Sequence, residues 1–347
     1  MELPLNPGIS IFLGRNGEGK TNIIESILYL AFLSSHRTAN DLPLIKLGEN
    51  SAYLRSHIQN FDREILVELE INTERANRAR INQNPVRSQK ELFGLIQCIY
   101  FSPEDMDLVR GDPAERRRFI DQLLILRSPR LAGVISDYER AVKQRNALLK
   151  TRVNQASLEP WDHQVAQFGS EVIASRISLL SEFNPVFTKV YSNISSEKKA
   201  HINYKSSINN LTITPEENYQ LIKSKMLEIK NQEFERGLTL VGPHRDDLSL
   251  YLGEHIVKGY ASHGEAWSIA LSLKLASYEL LINEGVRPIL ILDDVFSELD
   301  EERRIQLREM AQSAEQTFIT VAVEGDLPNG LQGNLYNVKN GSVKLRP

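Results

Sequence analysis

The sequence predicts an α/β fold in which both ends of the chain build one unit and a mostly helical lobe is inserted between them. Three observations carry this reading. The apolar run Ile9-Ser10-Ile11-Phe12-Leu13 feeds the glycine-rich stretch GRNGEGKTN (14–22), and Ile23, Ile24, Ile27, Leu28 and Leu30 then recur at helical spacing. Near the other end, VRPILIL (286–292) is a second apolar strand that stops at Asp293-Asp294. Between the two, residues 113–235 carry one helical pattern after another. The predicted boundaries are 1–112 and 236–347 for the two parts of the α/β unit and 113–235 for the inserted lobe.

The loop fits G-x-x-x-x-G-K-[ST], with Gly14, Gly19, Lys20 and Thr21 in the required places and a strand-then-helix context. Glycines let such a loop curl so that its backbone N–H groups face phosphates, and the following helix start adds positive potential. Lys20 is expected to reach the β- and γ-phosphates of a nucleotide, and the Thr21 hydroxyl to ligate Mg2+. The whole loop, Gly14, Arg15, Asn16, Gly17, Glu18, Gly19, Lys20 and Thr21, is the predicted binding surface. Just after the first helix, His36 and Arg37 read equally well as sensors of phosphate or DNA and as a structural turn.

Further along, Glu64–Ile71 predicts a strand, and a second follows a turn at Asn82-Gln83-Asn84-Pro85. Cys98 lies in the apolar run Leu95–Phe101, the setting of a packed small hydrophobe rather than a reactive thiol. Pro113 opens a helix with Asp112 as its cap and Glu115 in the first turn. Helices are predicted from Pro129 to Thr151, Pro160 to Phe183 and Pro215 to Arg236, with an extended polar tract at 200–214. The consecutive Arg116, Arg117 and Arg118 point around their helix. At least one is expected to meet solvent or DNA and another to pair with Glu115 or Asp121.

A carboxylate at the C-terminal end of a strand is where a parallel α/β sheet places its chemistry. Asp293 is the expected Mg2+ ligand. Asp294, next along, is the expected general base or the residue that orients the attacking water. An Asp reaches less far than a Glu, so slow turnover is expected. Ser262-His263-Gly264 precedes the helical run from Ala266 and offers a hydroxyl and unhindered N–H groups at a helix start, a device for anions as well as a plain cap.

Bulk composition bounds the partners. The 347 residues are 41% hydrophobic and 25% charged, the range of soluble globular proteins. No apolar stretch reaches membrane-spanning length and no signal peptide is evident, so a cytoplasmic protein with no membrane partner is expected. One cysteine excludes a disulfide framework, and the seven histidines have no zinc-ligand spacing. The net charge of −4 conceals basic tracts: residues 75–90 hold five Lys or Arg and no acid, and 110–152 hold eleven against five. Such tracts suit a phosphate backbone. No base-reading module is present, so recognition of DNA is expected to follow its form rather than its sequence.

Five blocks in order complete the reading: GRNGEGKTN, YFSPEDMDLVRGDPAERRRFIDQLL (100–124), GPHRDDL (242–248), ASHGEAWSIALSLKLA (261–276) and ILILDDVFSELD (289–300). Together they resemble the RecF family of DNA replication and repair proteins, ABC-type ATPases related to SMC and Rad50. The resemblance implies an ABC-type P-loop ATPase head and ATP with Mg2+ as cofactors. It implies an ATP-dependent, head-to-tail homodimer in which Ser262 and Gly264 complete the partner's site and Ser297–Asp300 cross the interface. It also implies binding to double-stranded and gapped DNA, weak DNA-stimulated ATP hydrolysis, work with RecR and RecO in loading RecA, and a part in the SOS response.

Departures are expected to matter. The usual Leu-Ser-Gly-Gly-Gln is Ala-Ser-His-Gly-Glu here, so Glu265 could repel phosphate unless the helix turns it away, and His263 could donate to phosphate or cap the interface. Family members carry a longer lead before the loop, whereas thirteen residues precede Gly14 here. Either the start lies further upstream or an initial strand is absent, and in the second case weaker nucleotide binding and an exposed sheet edge are expected. No histidine follows the strand Thr317–Val321, and Thr320 reads as a polar substitute or as a plain strand residue. Ser102–Asp105 is the better candidate than Gln97 for the link between nucleotide and helical lobe. Among rivals, a transporter ATPase would need a conventional signature and switch histidine. An SMC/Rad50-like DNA tether would need long heptad arms, and a small-molecule kinase has no use for Ser262-x-Gly264.

Overall fold

In the computed structural model, residues 1–346 are described apart from 36, 39, 61–62, 152–154 and 196–197. The chain forms two compact units, Met1–Asp105 with Leu273–Pro347, and Met106–Ser272.

The first unit begins with β1 (Gly8–Leu13) and α1 (Lys20–Phe32). Four antiparallel strands follow: β2 (Ser51–Asn60), β3 (Arg63–Asn72), β4 (Arg78–Ile81) and β5 (Asn84–Pro85), then β6 (Cys98–Phe101). The turn from β4 to β5 is narrower than the sequence suggested. Asn82 (φ 50°) and Gln83 (φ 68°) alone make it, both in the left-handed conformation a tight two-residue hairpin needs. Strand β2 escapes prediction because only Ala52, Leu54 and Ile58 mark its inward positions among polar neighbours.

The second unit is mostly helical. It holds α2 (Met106–Arg110), α3 (Pro113–Arg127), α4 (Arg130–Lys150) and α5 (Gln155–Ile194). Next come β7 (Ala200–Lys205), α6 (Pro215–Glu228), α7 (Lys230–Arg236), β8 (Asp247–Leu252) and β9 (His255–Ile256). Strand β7 occupies the first part of the tract read as extended and polar, and pairs antiparallel with β8. Helix α5 overruns its predicted limits at both ends and keeps Pro160 and Pro185 within it. Each proline forfeits one backbone bond, but the apolar face, including Val165, Ile173, Phe183 and Phe187, is buried along its length. Tyr138, Ala141, Val165, Ile173, Ile222 and Met226 form one core of this unit.

Helix α8 (His263–Asn283) runs through the boundary at Ser272/Leu273. The first unit then resumes with β10 (Ile289–Asp293), α9 (Glu301–Ser313), β11 (Gln316–Val321), β12 (Asn334–Lys339) and β13 (Ser342–Leu345). Its main sheet has the order β13-β12-β1-β11-β10-β6. All neighbours are parallel except β12 with β13. Parallel strands covered on both faces read as continuous apolar runs, which is why β1 and β10 were legible. Phe12 on β1 stacks on Tyr336 of β12 (ring centroids 5.4 Å) and lies 6.3 Å from Phe318 of β11, so the three central strands share an aromatic core. The C-terminal ends of β1, β10 and β11 therefore open side by side.

Candidate nucleotide site

The phosphate loop leaves β1 at Gly14 and enters α1 at Lys20. Two of its glycines have backbones that side chains resist, Gly17 at φ 85° and Gly19, the helix N-cap, at φ 107°. Gly14 is glycine for another reason: a Cβ there would sit 2.4 Å from the carbonyl oxygen of Val338 on β12. Arg15, Asn16 and Gly17 are exposed at the crest, while Glu18, Gly19 and Thr21 are half-buried. Glu18 faces the C-terminal hairpin. Its carbonyl accepts the Gly341 N–H (2.9 Å) and its carboxylate accepts the Asn340 N–H.

Lys20 is buried, 3% exposed, although it carries a charge. Its ammonium folds back over the loop, donating to Gly14 O (2.8 Å) and Asn16 Oδ1 (3.3 Å), and lies 3.6 Å from Asp294 Oδ2. The two oxygens it meets on its own loop are neutral acceptors, weaker partners for an ammonium than ionised ones.

Asp293 ends β10 almost fully buried. It accepts the hydroxyls of Thr320 and of Tyr100 on β6 (3.3 Å). Burial pushes its carboxyl above the usual range, the Thr320 bond opposes this, and the neighbouring Asp294 charge adds to it. Asp294 turns left-handed, φ 52°, which costs a residue with a Cβ about 1–2 kcal/mol. Its Oδ1 is buried without a hydrogen-bond partner. An orphaned carboxylate oxygen beside a buried carboxylate and a lysine is a place for a cation, or for water on phosphate. Oxygen donors such as Thr21 and Asp293 suit Mg2+, which is held by one or two protein oxygens with the phosphates supplying others. No cluster of three or more His, Cys, Asp or Glu fit for a metal exists among the described residues.

The SPED segment is tied to the same sheet. Asp105 Oδ1 pairs with Lys274 of α8 (2.8 Å), and Lys274 also donates to Tyr100 O (2.8 Å). Asp105 Oδ2 accepts the Ser102 N–H (2.9 Å). Burial raises this carboxyl and the Lys274 charge opposes the rise. Gln97 belongs to the segment leading into β6, and its carbonyl accepts the Ile289 N–H (2.8 Å).

Ser262 and Gly264 lie in the second unit, at the start of α8. Ser262 is the cap of a reciprocal box: its N–H donates to Glu265 Oε2 (2.9 Å) and its Oγ accepts the Glu265 N–H (3.2 Å). The pattern Ser-x-x-Glu was in the sequence to be found. It gives Glu265 intramolecular partners: its carboxylate bends back on the helix start and pairs with Lys198 (3.0 Å). The Ser262 N–H and then Lys198 hold it below the usual range. The Trp267 indole N–H donates to His263 Nε2 (3.1 Å), so that ring nitrogen acts as an acceptor.

The GPHRDD block and the arginine triplet meet inside the second unit. Asp247 takes Arg116 in a fork (2.8 and 3.0 Å), and Arg117 donates to the Asp246 carbonyl (2.9 Å). Tyr204 and Ser206 hydroxyls occupy the Asp246 carboxylate. Only Arg118 behaves as a surface residue, paired with Glu115 (2.9 Å). Asp121 is claimed by Arg176 instead. The acidic pair is thus spent on arginines and hydroxyls rather than a metal. Arg37 lies 3.9 Å from Glu25, and His36 falls outside the described residues.

These features can be set beside known proteins. The family model of the RecF/RecN/SMC N terminal domain matches residues 1–341. A DNA replication and repair protein RecF of Streptomyces avermitilis is 45% identical over 355 residues, covering 99% of this chain and 95% of that protein. The recombination mediator protein RecF of the RecFOR pathway, solved with ATPrS and with ATP, superposes at TM-score 0.91 in both cases with 26% identity. The first covers 99% of this chain and the second 100%, each with 94% of the solved chain. An Smc head bound to the C-winged helix domain of ScpA shares the fold alone, at TM-score 0.57 and 14% identity over 99% of this chain and 91% of that one. The ABC-type ATPase head, the phosphate loop set against Asp293 and Asp294, and a match over nearly the whole chain lead to one assignment: the chain belongs to the RecF family of DNA replication and repair proteins.

Proposed function

We propose that this protein is an ATP-gated DNA-binding ATPase of recombinational repair, acting in the cytoplasm. One observation carries the reading: Lys20, at the end of a glycine loop, stands 3.6 Å from Asp294 and next to the strand that ends in Asp293. The solved relatives with ATP and ATPrS support the choice of nucleotide. The N–H groups from Gly14 to Thr21 cradle the β-phosphate, and Lys20 leaves Gly14 O for the β- and γ-phosphate oxygens. Thr21 Oγ and Asp293 would hold Mg2+, which when bound would neutralise charge on those phosphates. The free Oδ1 of Asp294 accepts a hydrogen bond from the attacking water and orients it.

Ser262 and Gly264 serve in trans. The Ser262 hydroxyl is accepting from Glu265 and keeps its own proton to donate to the γ-phosphate of a second copy, and Gly264 leaves the approach open. Two ATP molecules then hold two copies head to tail, and the closed pair binds double-stranded and gapped DNA. ATP favours closure only to the extent that it binds the closed state more tightly. Slow hydrolysis, stimulated by DNA, resets the pair. RecR and RecO are the proposed partners, with RecA loading and the SOS response downstream.

The test is gapped-duplex binding, dimerisation by light scattering, and DNA-stimulated ATPase with Lys20→Arg and Ser262→Arg, singly and mixed. Each variant alone should fail to form ATP-dependent pairs. Mixing them should recover pairs holding one competent site between the intact Lys20 of one copy and the intact Ser262 of the other. Wild-type ATPase that is unaltered by Ser262→Arg and first order in monomer at every concentration would defeat the trans site.

A further inference from the structure

One hydroxyl ties the carboxylate of Asp293 to the backbone of Asp294 at the strand end. Thr320 lies on β11 directly opposite Asp293 in the parallel register and is fully buried. Its Oγ donates to Asp293 Oδ1 and accepts the Asp294 N–H at 3.0 Å, while its own carbonyl shares that N–H at 3.2 Å. A threonine hydroxyl has one proton and two lone pairs, so it can make both bonds at once. The bond to the Asp294 N–H falls at the residue whose backbone is left-handed. That turn sets Oδ2 of Asp294 3.6 Å from Lys20 and leaves Oδ1 buried with no partner.

We propose that Thr320 is a positioning residue for hydrolysis. It holds the Asp294 backbone in its left-handed turn and fixes the rotamer of Asp293, so that the free Asp294 oxygen faces the place of the attacking water. The sequence left Thr320 open between a polar substitute for a switch histidine and an ordinary strand residue. The geometry points to a third role, acting through both aspartates instead of on the phosphate itself. The inference rests on the reading of Asp294 given above.

Valine matches threonine in shape and strand preference and lacks only the hydroxyl, so Thr320→Val isolates the two bonds. Loss of a partner that orients a metal ligand or catalytic group costs about 10–100-fold in activity. We expect kcat for ATP to fall by that factor, ATP dissociation constants measured without Mg2+ to stay within about threefold, and Thr320→Ser to restore the rate. A purely structural threonine would instead lower Tm for Val and Ser alike, or leave kcat unchanged. Either result overturns the proposal. If Thr320→Val does not yield folded protein, Thr320→Cys against Thr320→Ser makes the same comparison, since a thiol is a poor donor. Asp294→Asn run in parallel separates the two failures. An active Asp294→Asn removes the reading of Asp294 and the proposal with it, whereas an inactive Asp294→Asn beside a fully active Thr320→Val sinks only the role of Thr320.

Discussion

His244, in the GPHRDD block, shows how one buried side chain sets a pH limit on the second unit. Its Nε2–H donates to the Thr239 carbonyl (3.1 Å), and its Nδ1 accepts the Tyr138 hydroxyl (2.5 Å), so the neutral ring has both nitrogens engaged. A second proton would displace the Tyr138 bond inside a packed site. Burial is the main cause that lowers its pKa from 6.5 to about 4, and the nearby Arg245, Arg117 and Arg145 charges push the same way. Between those two values the unfolded chain binds a proton that the folded chain refuses. Stability is therefore undiminished above about pH 6.5 and falls as the pH drops toward 4. Urea midpoints at pH 7 and pH 5 should separate for the wild type and converge for His244→Gln. Equal separation in both would assign the acid sensitivity elsewhere. Gly242 confirms how tight the block is, since a Cβ there would lie 2.4 Å from the Tyr138 oxygen.

At the scale of elements, the phosphate loop is shaped by the C-terminal hairpin as well as by its own glycines. The turn Asn340-Gly341 between β12 and β13 has both residues left-handed (φ 49° and 72°) and places two N–H groups on Glu18. Gly14 and Gly17 should then fail differently when substituted. Gly17→Ala meets no atom within 4 Å and suffers only its φ of 85°, a cost of about 1–2 kcal/mol. Gly14→Ala drives its methyl into the β12 backbone, so a central strand must shift; Tm should fall further, and ATP affinity with it. Thermal unfolding and nucleotide titration of both variants check the order. The motif made Gly14 legible, but the strand that demands it lies at the far end of the chain and leaves no local trace. The same holds elsewhere. The strand–loop–helix at 8–32 and the strand ending at Asp293 were readable from periodicity. The partners of Arg116 and Asp121 were not, because an ion pair across elements carries no spacing. Asn340-Gly341 and Ser262-x-x-Glu265 are local signals of a hairpin and a capping box. What the sequence withheld there was their partners, Glu18 for the hairpin and Lys198 for the carboxylate of the capping box.

At the scale of the molecule, the nucleotide loop belongs to one compact unit and Ser262 to the other, so ligand and dimerisation should leave separate marks on unfolding. A ligand that binds only the folded state at 100 times its dissociation constant stabilises by about 2.7 kcal/mol. For units of this size that raises Tm by about 5–10 °C. In dilute solution, where pairs do not form, ATP with Mg2+ should raise the transition of the unit that carries Lys20, and Lys20→Ala should abolish the rise. With increasing protein concentration, the proposed closure in pairs should engage the Ser262 corner of each copy and add a second, concentration-dependent rise. Ser262→Arg should remove that second rise and keep the first. The two variants thus divide the ATP effect into binding and sealing. A wild-type curve whose ATP response is independent of protein concentration, with Ser262→Arg tracing the same curve, would mean that each copy encloses its own nucleotide and that the signature corner has no role in trans.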